Sequence, residues 1–379
     1  MPEGLNVVAE PLGAAAHRLL SSAAARWTAG SVDRAFVAFL RAQTARARRR
    51  ERGSSESFER RLERLQQQAA RIEARLATAG VELFPSARKI APRRHHERFL
   101  EPRCAVQDVA WPSDYQPLLP ELHERYRRHP QNLRGAAQLW LHRSPRPMAI
   151  LIHGYMGGDY AVEARVWPLR WLFRAGLDLA LFVLPLHGAR AISGRRGPPP
   201  FPSRDPRMSN EGLCHAIGDL RDLVGWLRRR GHPAVGVMGM SLGAYTAALA
   251  ATFIPKLDFV VPIVPLASLA DFAREQGRLD PDPRREALEM AALERVHRAV
   301  SPLERTSILE RGRMLIVAGD SDRITPASHA DRLALRFDAP VTRWPGGHLL
   351  QLGRMACFRE VLRLLTDQAI LPAPPEAPS

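Results

Sequence analysis

Lysine is almost missing from this chain: Lys89 and Lys256 are the only two in 379 residues, so nearly every cation is an arginine. A GC-rich genome produces that bias as readily as phosphate recognition does, so the preference does not indicate a nucleic-acid partner. Cysteine is scarce too. Cys104, Cys214 and Cys357 are far apart and odd in number, which argues against a disulfide framework and for a reducing compartment. No pair of them has zinc-ligand spacing. Nowhere do 18 apolar residues run together, so nothing reads as a membrane-spanning helix. The N-terminus lacks the basic start and unbroken apolar core of a signal peptide, because His17 and Arg18 interrupt the first apolar run. The glycines at 236, 239 and 243 do not give the G-x-G-x-x-G of a dinucleotide loop. The expectation is a cytoplasmic protein with no metal, no cofactor and no nucleic acid.

The charge that is present is unevenly placed. Of a formal net charge of +16, residues 1–100 supply more than half, with 19 Arg and Lys against 10 Asp and Glu. A solvated basic face is the preferred reading of that excess. A hydrophobic share of 45% fits a packed core, and the length allows one large domain with an extension, or two domains. Residues 11–50 read as helix, with Val37, Phe39 and Leu40 on an apolar face and Arg46, Arg48, Arg49 and Arg50 at a basic end. Over 56–79, Phe58, Leu62, Leu65, Ala69, Ile72 and Leu76 recur at alternating intervals of four and three, the pattern of a helix packed along a narrow seam. That length is too short for a long coiled coil, so a helical hairpin or a helix lying on the main domain is expected. Gly80 and Pro85 end it. A packing extension is preferred over a lid, a self-association element or a peripheral membrane contact. His95 and His96 stand among Arg93, Arg94 and Arg98, which disfavours a metal there. Prolines at 102, 112, 117, 120 and 130 predict a winding segment around one short helix at 120–128.

From residue 136 onward strand and helix signals alternate, which predicts a mostly parallel sheet covered on both faces. Strands are expected at 137–142, 148–153, 179–184, 259–264, 313–318 and 341–344, although Pro262 conflicts with a central place for its strand. Residues 266–310 break the alternation with helical signals and read as a cap. The loop from Pro185 to Met208 carries Arg190, Arg195, Arg196, Arg204 and Arg207, for which simple exposure is preferred over an anion site. Cys214 and His215, on a helix at 210–230, read as structural. The organisation expected is a helical extension at 1–105, a main domain at 106–370 with its cap, and a disordered tail at 371–379.

The stretch 234–253 carries the chemistry. A short apolar run meets Gly239-Met240-Ser241-Leu242-Gly243 and becomes an alanine-rich helix. Gly239 and Gly243 let strand and helix approach around a strained turn that holds Ser241 clear of the backbone, at a helix N-terminus that favours developing negative charge. A nucleophilic serine needs a base, a group to orient the base and donors for an oxyanion. His153-Gly154-Tyr155-Met156-Gly157-Gly158 closes a central strand with a turn whose N–H groups suit an oxyanion. Asp320 and Asp322 each could orient an imidazole, and alternation cannot separate them because residues two apart share a face. His348, behind two glycines at the end of the last strand, is the candidate base. Serine, acid and histidine at successive strand ends make coincidence a poor explanation.

These residues resemble the α/β-hydrolase superfamily over roughly positions 136–366. The resemblance implies an α/β fold, a mostly parallel, doubly covered sheet with a small helical cap, preceded here by an α-helical N-terminal extension. It also implies Ser241 as nucleophile, His348 as base, Asp322 rather than Asp320 as orienting acid, and the N–H groups of Tyr155 and Leu242 as oxyanion donors, with His153, Gly154, Gly239 and Gly243 as supporting motif residues. The activity implied is serine hydrolysis of a carboxylic ester, small or lipid, of carboxylesterase or lipase type, through an acyl-enzyme. A peptidase or acyltransferase with the same triad, and a non-catalytic binding protein on this fold, are the alternatives. Leu184-Pro-Leu-His187-Gly188-x-Arg190 is similar to a turn of peptidase-like and esterase members. The first hundred residues lie outside the resemblance.

Overall fold

The run Met148-Ala-Ile-Leu-Ile152 has no polar residue to turn toward water, so as a strand it must be covered on both faces. The computed structural model describes residues 22–50, 56–79, 88–101, 104–195 and 197–373. Among the described residues two helices lead, α1 (Ala23–Arg50) and α2 (Phe58–Ala79), followed by strands β1 (Arg93–Glu101) and β2 (Cys104–Pro112). Next come α3 (His123–Arg127), β3 (Arg134–Leu141), β4 (Met148–Ile152), α4 (Tyr160–Val166), α5 (Leu169–Arg174), β5 (Asp178–Phe182) and α6 (Pro206–Arg229). The chain continues with β6 (Val235–Met240), α7 (Leu242–Phe253), β7 (Val260–Ile263), α8 (Leu269–Glu275) and α9 (Pro283–His297). It closes with β8 (Ile316–Gly319), α10 (Ala327–Phe337), β9 (Val341–Trp344) and α11 (Arg354–Asp367).

All of the strands among the described residues join one nine-stranded sheet in the order β1-β2-β3-β5-β4-β6-β7-β8-β9. From β5 to β9 the neighbours are parallel, while β1, β2 and β3 add an antiparallel edge. Alternate residues of β4 serve opposite faces. Ile150 and Ile152 pack with Leu213 and Ile217 of α6 and Tyr245 and Leu249 of α7. Ala149 and Leu151 pack with Leu172 of α5 and Phe358, Val361 and Leu365 of α11.

Two expectations need correction. The sheet starts well before residue 105: β1 and β2 occupy part of the expected helical extension and of the winding segment after it. β1 is an edge strand whose residues 93–100 are exposed, so it has no apolar alternation to read. β2 gives Cys104 and Val106 to one face and Val109 and Trp111 to the other, so neither half shows a full period. Pro262, secondly, does sit centrally, between β6 and β8. Val260 and Val264 donate their N–H groups to Arg313 and Val317 on the β8 side, so the donor missing at Pro262 faces β8, where regular pairing shrinks to Ile263 with Val317. Residues 11–21 of the expected first helix, Gly80, Pro85, Arg196 and residues 374–379 of the expected disordered tail lie outside the described residues, as do the side chains of Phe39, Leu40, Arg46, Arg48, Arg49 and Arg50.

The seam read on α2 is used, with Leu65, Ala69 and Ile72 buried. Its partner is α9, within the cap interval, along with α8. Arg61 pairs with Glu289, and Arg295 reaches the Glu73 carboxylate with both Nε and Nη2, at 2.9 and 2.7 Å. The Arg285 guanidinium lies 4.9 Å over the Phe58 ring. Among the described residues no helix is long and apolar enough to cross a membrane. Because Ile72 is 1% exposed within this seam, Ile72→Ala should destabilise the chain by about 2–5 kcal/mol, read as a lower urea midpoint at unchanged slope.

Candidate active site

β6 ends at Met240 and α7 begins at Leu242, so Ser241 alone turns the chain. It does so at φ 57 and ψ −114, a conformation that costs a residue with a Cβ about 1–3 kcal/mol and persists only if its surroundings impose it. They do. The Ser241 N–H donates to the Ile263 carbonyl at 2.9 Å, while the Ser241 carbonyl accepts from Ala244 at 2.9 Å and Tyr245 at 3.0 Å. A Cβ on Gly239 would overlap the Gly243 carbonyl, and one on Gly243 would overlap the Ile152 carbonyl. β4, β6 and α7 therefore meet backbone to backbone.

Leu242 is the first residue of α7, so its N–H has no acceptor within the helix and sits at the positive pole. Gly154 lies against the serine: a Cβ there would stand 3.3 Å from Ser241 Cβ and 3.9 Å from its Oγ. Tyr155 follows in a turn closed by Gly157 N–H on the Gly154 carbonyl at 3.1 Å, and its hydroxyl donates to the Pro199 carbonyl at 3.2 Å. His153 is buried and holds this turn in place. Its Nε2 accepts from Leu184 N–H at 3.0 Å, so the proton is on Nδ1, which donates to the Gly154 carbonyl at 2.7 Å. Burial, helped by His187, lowers the His153 pKa to about 3 and keeps the ring neutral.

At the far side of β7, His348 Nδ1 lies 2.8 Å from Asp322 Oδ2. Asp322 Oδ1 accepts the N–H groups of Ile324 and Thr325, each at 2.8 Å. Thr325 Oγ1 is 3.0 Å from His348 Nδ1, from Asp322 Oδ2 and from the Val264 carbonyl. Asp320 is half-exposed and 4.0 Å from Arg343, away from the imidazole. Val264 follows Ile263, which holds Ser241, so hydrogen bonds connect the serine turn to the His348 loop across the ends of β6, β7 and β8. Gln351 Nε2 ties the same loop to Met240 Sδ at 3.2 Å. Among the described residues no hydrogen bond joins the Ser241 hydroxyl to the His348 imidazole. Burial acts to lower the His348 pKa, but the charge and hydrogen bond of Asp322, with the charge of Asp33, outweigh it and hold the pKa above the ordinary value.

Arg190 departs from the expectation of an exposed loop arginine. It is fully buried, 2.8 Å from Asp219 and from His215 Nε2, and it donates to the Asn132 and Val183 carbonyls at 2.9 and 3.1 Å. Its guanidinium serves α6 and the loop, and is closed to an outside anion. Asp33 of α1 was missed by the sequence reading of the site altogether. It is 0% exposed and accepts the N–H groups of Arg323, His348 and Leu349. The available signal was that Asp33 is the one acidic residue between Glu10 and Glu51 and sits four positions from Ala29 and from Val37, a carboxylate on a helix's apolar face.

A parallel sheet wrapped by helices, with an antiparallel edge and a serine at positive φ between strand and helix, defines the α/β-hydrolase fold, and the chain has it. Among solved structures the chain is similar to acetyl xylan esterase 1 from a Thermoanaerobacterium species, with 18% identity and a TM-score of 0.52 over 77% of this chain and 93% of that one. An acetyl xylan esterase from a Paenibacillus species gives 14% identity and a TM-score of 0.50 over 76% and 91%. Uncharacterized proteins of two Mycobacterium tuberculosis strains are each 33% identical to it over 259 residues, 66% of this chain. The match spans 61% of the length of those relatives. No protein-family model matches the chain.

Helix propensity alone would make Gly243→Ala favourable by about 1 kcal/mol. The Ile152 and His153 carbonyls are backbone and cannot yield, so the sign reverses: the variant should melt below the wild type, with a net cost of about 1–3 kcal/mol, as calorimetry would read.

Proposed function

We propose that this protein is a serine hydrolase that cleaves carboxylic esters through an acyl-enzyme. The reading is carried by a serine forced to positive φ at a helix N-terminus, on the same sheet edge as a histidine whose Nδ1 is bonded to a buried carboxylate. Nδ1–H of His348 is held by Asp322, which leaves Nε2 to take the Ser241 proton as Oγ attacks the ester carbonyl. The N–H groups of Leu242 and Tyr155 receive the oxyanion. His348 then gives its proton to the departing alcohol, and the acyl group stays on Ser241. Water, deprotonated by the same imidazole, attacks the acyl carbon, and His348 returns that proton to Ser241 Oγ as its bond to the acyl group breaks and the acid leaves. The acetyl xylan esterases that share the fold favour an ester over an amide as substrate class, and the buried Cys214 and Cys357 thiols fit a reducing compartment.

A fluorophosphonate probe should label the folded wild type on Ser241, and Ser241→Ala should abolish the label; a folded wild type that takes none overturns the reading. On short acyl esters, Ser241→Ala and His348→Ala should each lose about ten-thousandfold or more in kcat. The base works only when neutral, and its pKa is raised. Activity should therefore fall as pH drops, with the acid limb of kcat/KM centred above about 6.5; a flat profile from about pH 5 to 8 counts against His348.

A further inference from the structure

Two loops must keep register for His348 to meet Asp322, and they leave different strands. The Asp322 loop follows β8 and the His348 loop follows β9. Asp33 is bonded to both. Its Oδ2 accepts from Arg323 N–H at 3.1 Å and from His348 N–H at 2.7 Å, and its Oδ1 accepts from Leu349 N–H at 3.0 Å. These partners lie 290 to 316 positions away along the chain.

A buried carboxylate is unfavourable unless its lone pairs are filled. Here the donors filling them are backbone groups beside Asp322 and of His348 itself. The packing around the contact is cut to fit it. A Cβ on Gly347 would stand 2.6 Å from Asp33 Oδ2 and 3.1 Å from the Ala29 carbonyl, and one on Gly30 would stand 3.4 Å from the Ser321 carbonyl. Glycine on each side thus lets α1 lie directly on the two loops.

We propose that Asp33 is a positioning residue of the active site: from α1 its carboxylate clamps the Asp322 loop to the His348 loop and thereby sets the imidazole against its acid. The inference rests on the hydrolase reading of Ser241, His348 and Asp322. It gives the N-terminal segment a part in the chemistry, although no atom of Asp33 touches substrate. The groups facing His348 are Asp322 and the Thr325 hydroxyl from the β8 loop and Asp33 from α1. The guanidinium groups of Arg323 and Arg34 lie by Gly30. Asp33 adds negative charge to this set and acts with Asp322 to favour the imidazolium.

The test uses the full chain with Asp33→Asn and Asp33→Glu, assayed on an ester the wild type turns over. Asp33→Asn keeps shape and loses charge and one acceptor. It should lower kcat by about ten- to a hundredfold, the scale of a small misplacement of reacting groups, leave KM within about twofold, and move the acid limb of kcat/KM to lower pH. Asp33→Glu keeps the charge and misplaces it, so kcat should fall while the acid limb stays near that of the wild type. Wild-type kcat and an unmoved acid limb in both variants would overturn the proposal, as would variants that lose only thermal stability. Should Asp33→Asn fail to fold, hydrogen exchange on the wild type decides. The amides of Arg323, His348 and Leu349 should be protected together like the sheet core, and exchange at open-loop rates would overturn the clamp. That exchange is read without turnover, so a wild type refusing the fluorophosphonate would mark the failure of the hydrolase reading separately.

Discussion

Three stretches of backbone meet at the end of β6 with no side chain between them, and the order of the sheet edge follows from that contact. Gly239 lies under the Gly243 carbonyl, and Gly243 lies under the carbonyl of Ile152. α7 can then start one residue after β6 ends, and its twelve buried residues fill the space that larger helices would need. Ser241 has no freedom in this arrangement. Its φ is imposed by the strand behind it, the helix ahead and the Ile263 carbonyl beside it, so the strain is held by burial that the turn itself does not supply.

Electrostatics at this edge divide one residue type into opposite states. His153 is surrounded by backbone, another imidazole and, further off, Arg190, and burial holds it neutral so that Nε2 accepts from Leu184. His187, with Nδ1 on the Pro185 carbonyl, is pushed down to about 4 by the same cause. His348 is as buried, yet two carboxylates lie close and its pKa moves the other way. Solvent exposure does not separate these rings; the charge within reach does. The neutral His153 imidazole holds the Gly154 turn, while the carboxylates beside His348 favour its protonated form.

The segment ahead of the sheet is tied to both sides of this edge. α2 lies on α9 through a buried apolar seam with ion pairs along it, and α1 reaches the loops after β8 and β9 through one buried carboxylate. Water screens exposed ion pairs such as Arg295 with Glu73, so the seam's apolar residues hold α2. α1 also buries Ala29 and Val37, and the contact of Asp33 with backbone N–H groups of two loops makes its seat specific in register.

Local signals in the chain were enough for the parallel half of the sheet and for the serine turn. An unbroken apolar strand, two glycines around Ser241 and alanines after it leave few other conformations, because those constraints act within a few residues. The heptad-like spacing on α2 likewise named its buried face, but not α9 as its cover. β1 was illegible because an edge strand needs no apolar face, and β2 because it divides its apolar residues between two faces. Arg190 read as a loop cation because nothing near it in sequence announces Asp219. Asp33 was one acid in a basic helix. Sequence by itself determined where the chain must turn and which runs must be buried, since sterics and periodicity are local. Only tertiary structure decided which buried charges meet, because an ion pair or a carboxylate clamp between residues some 300 positions apart leaves no periodic trace at either end.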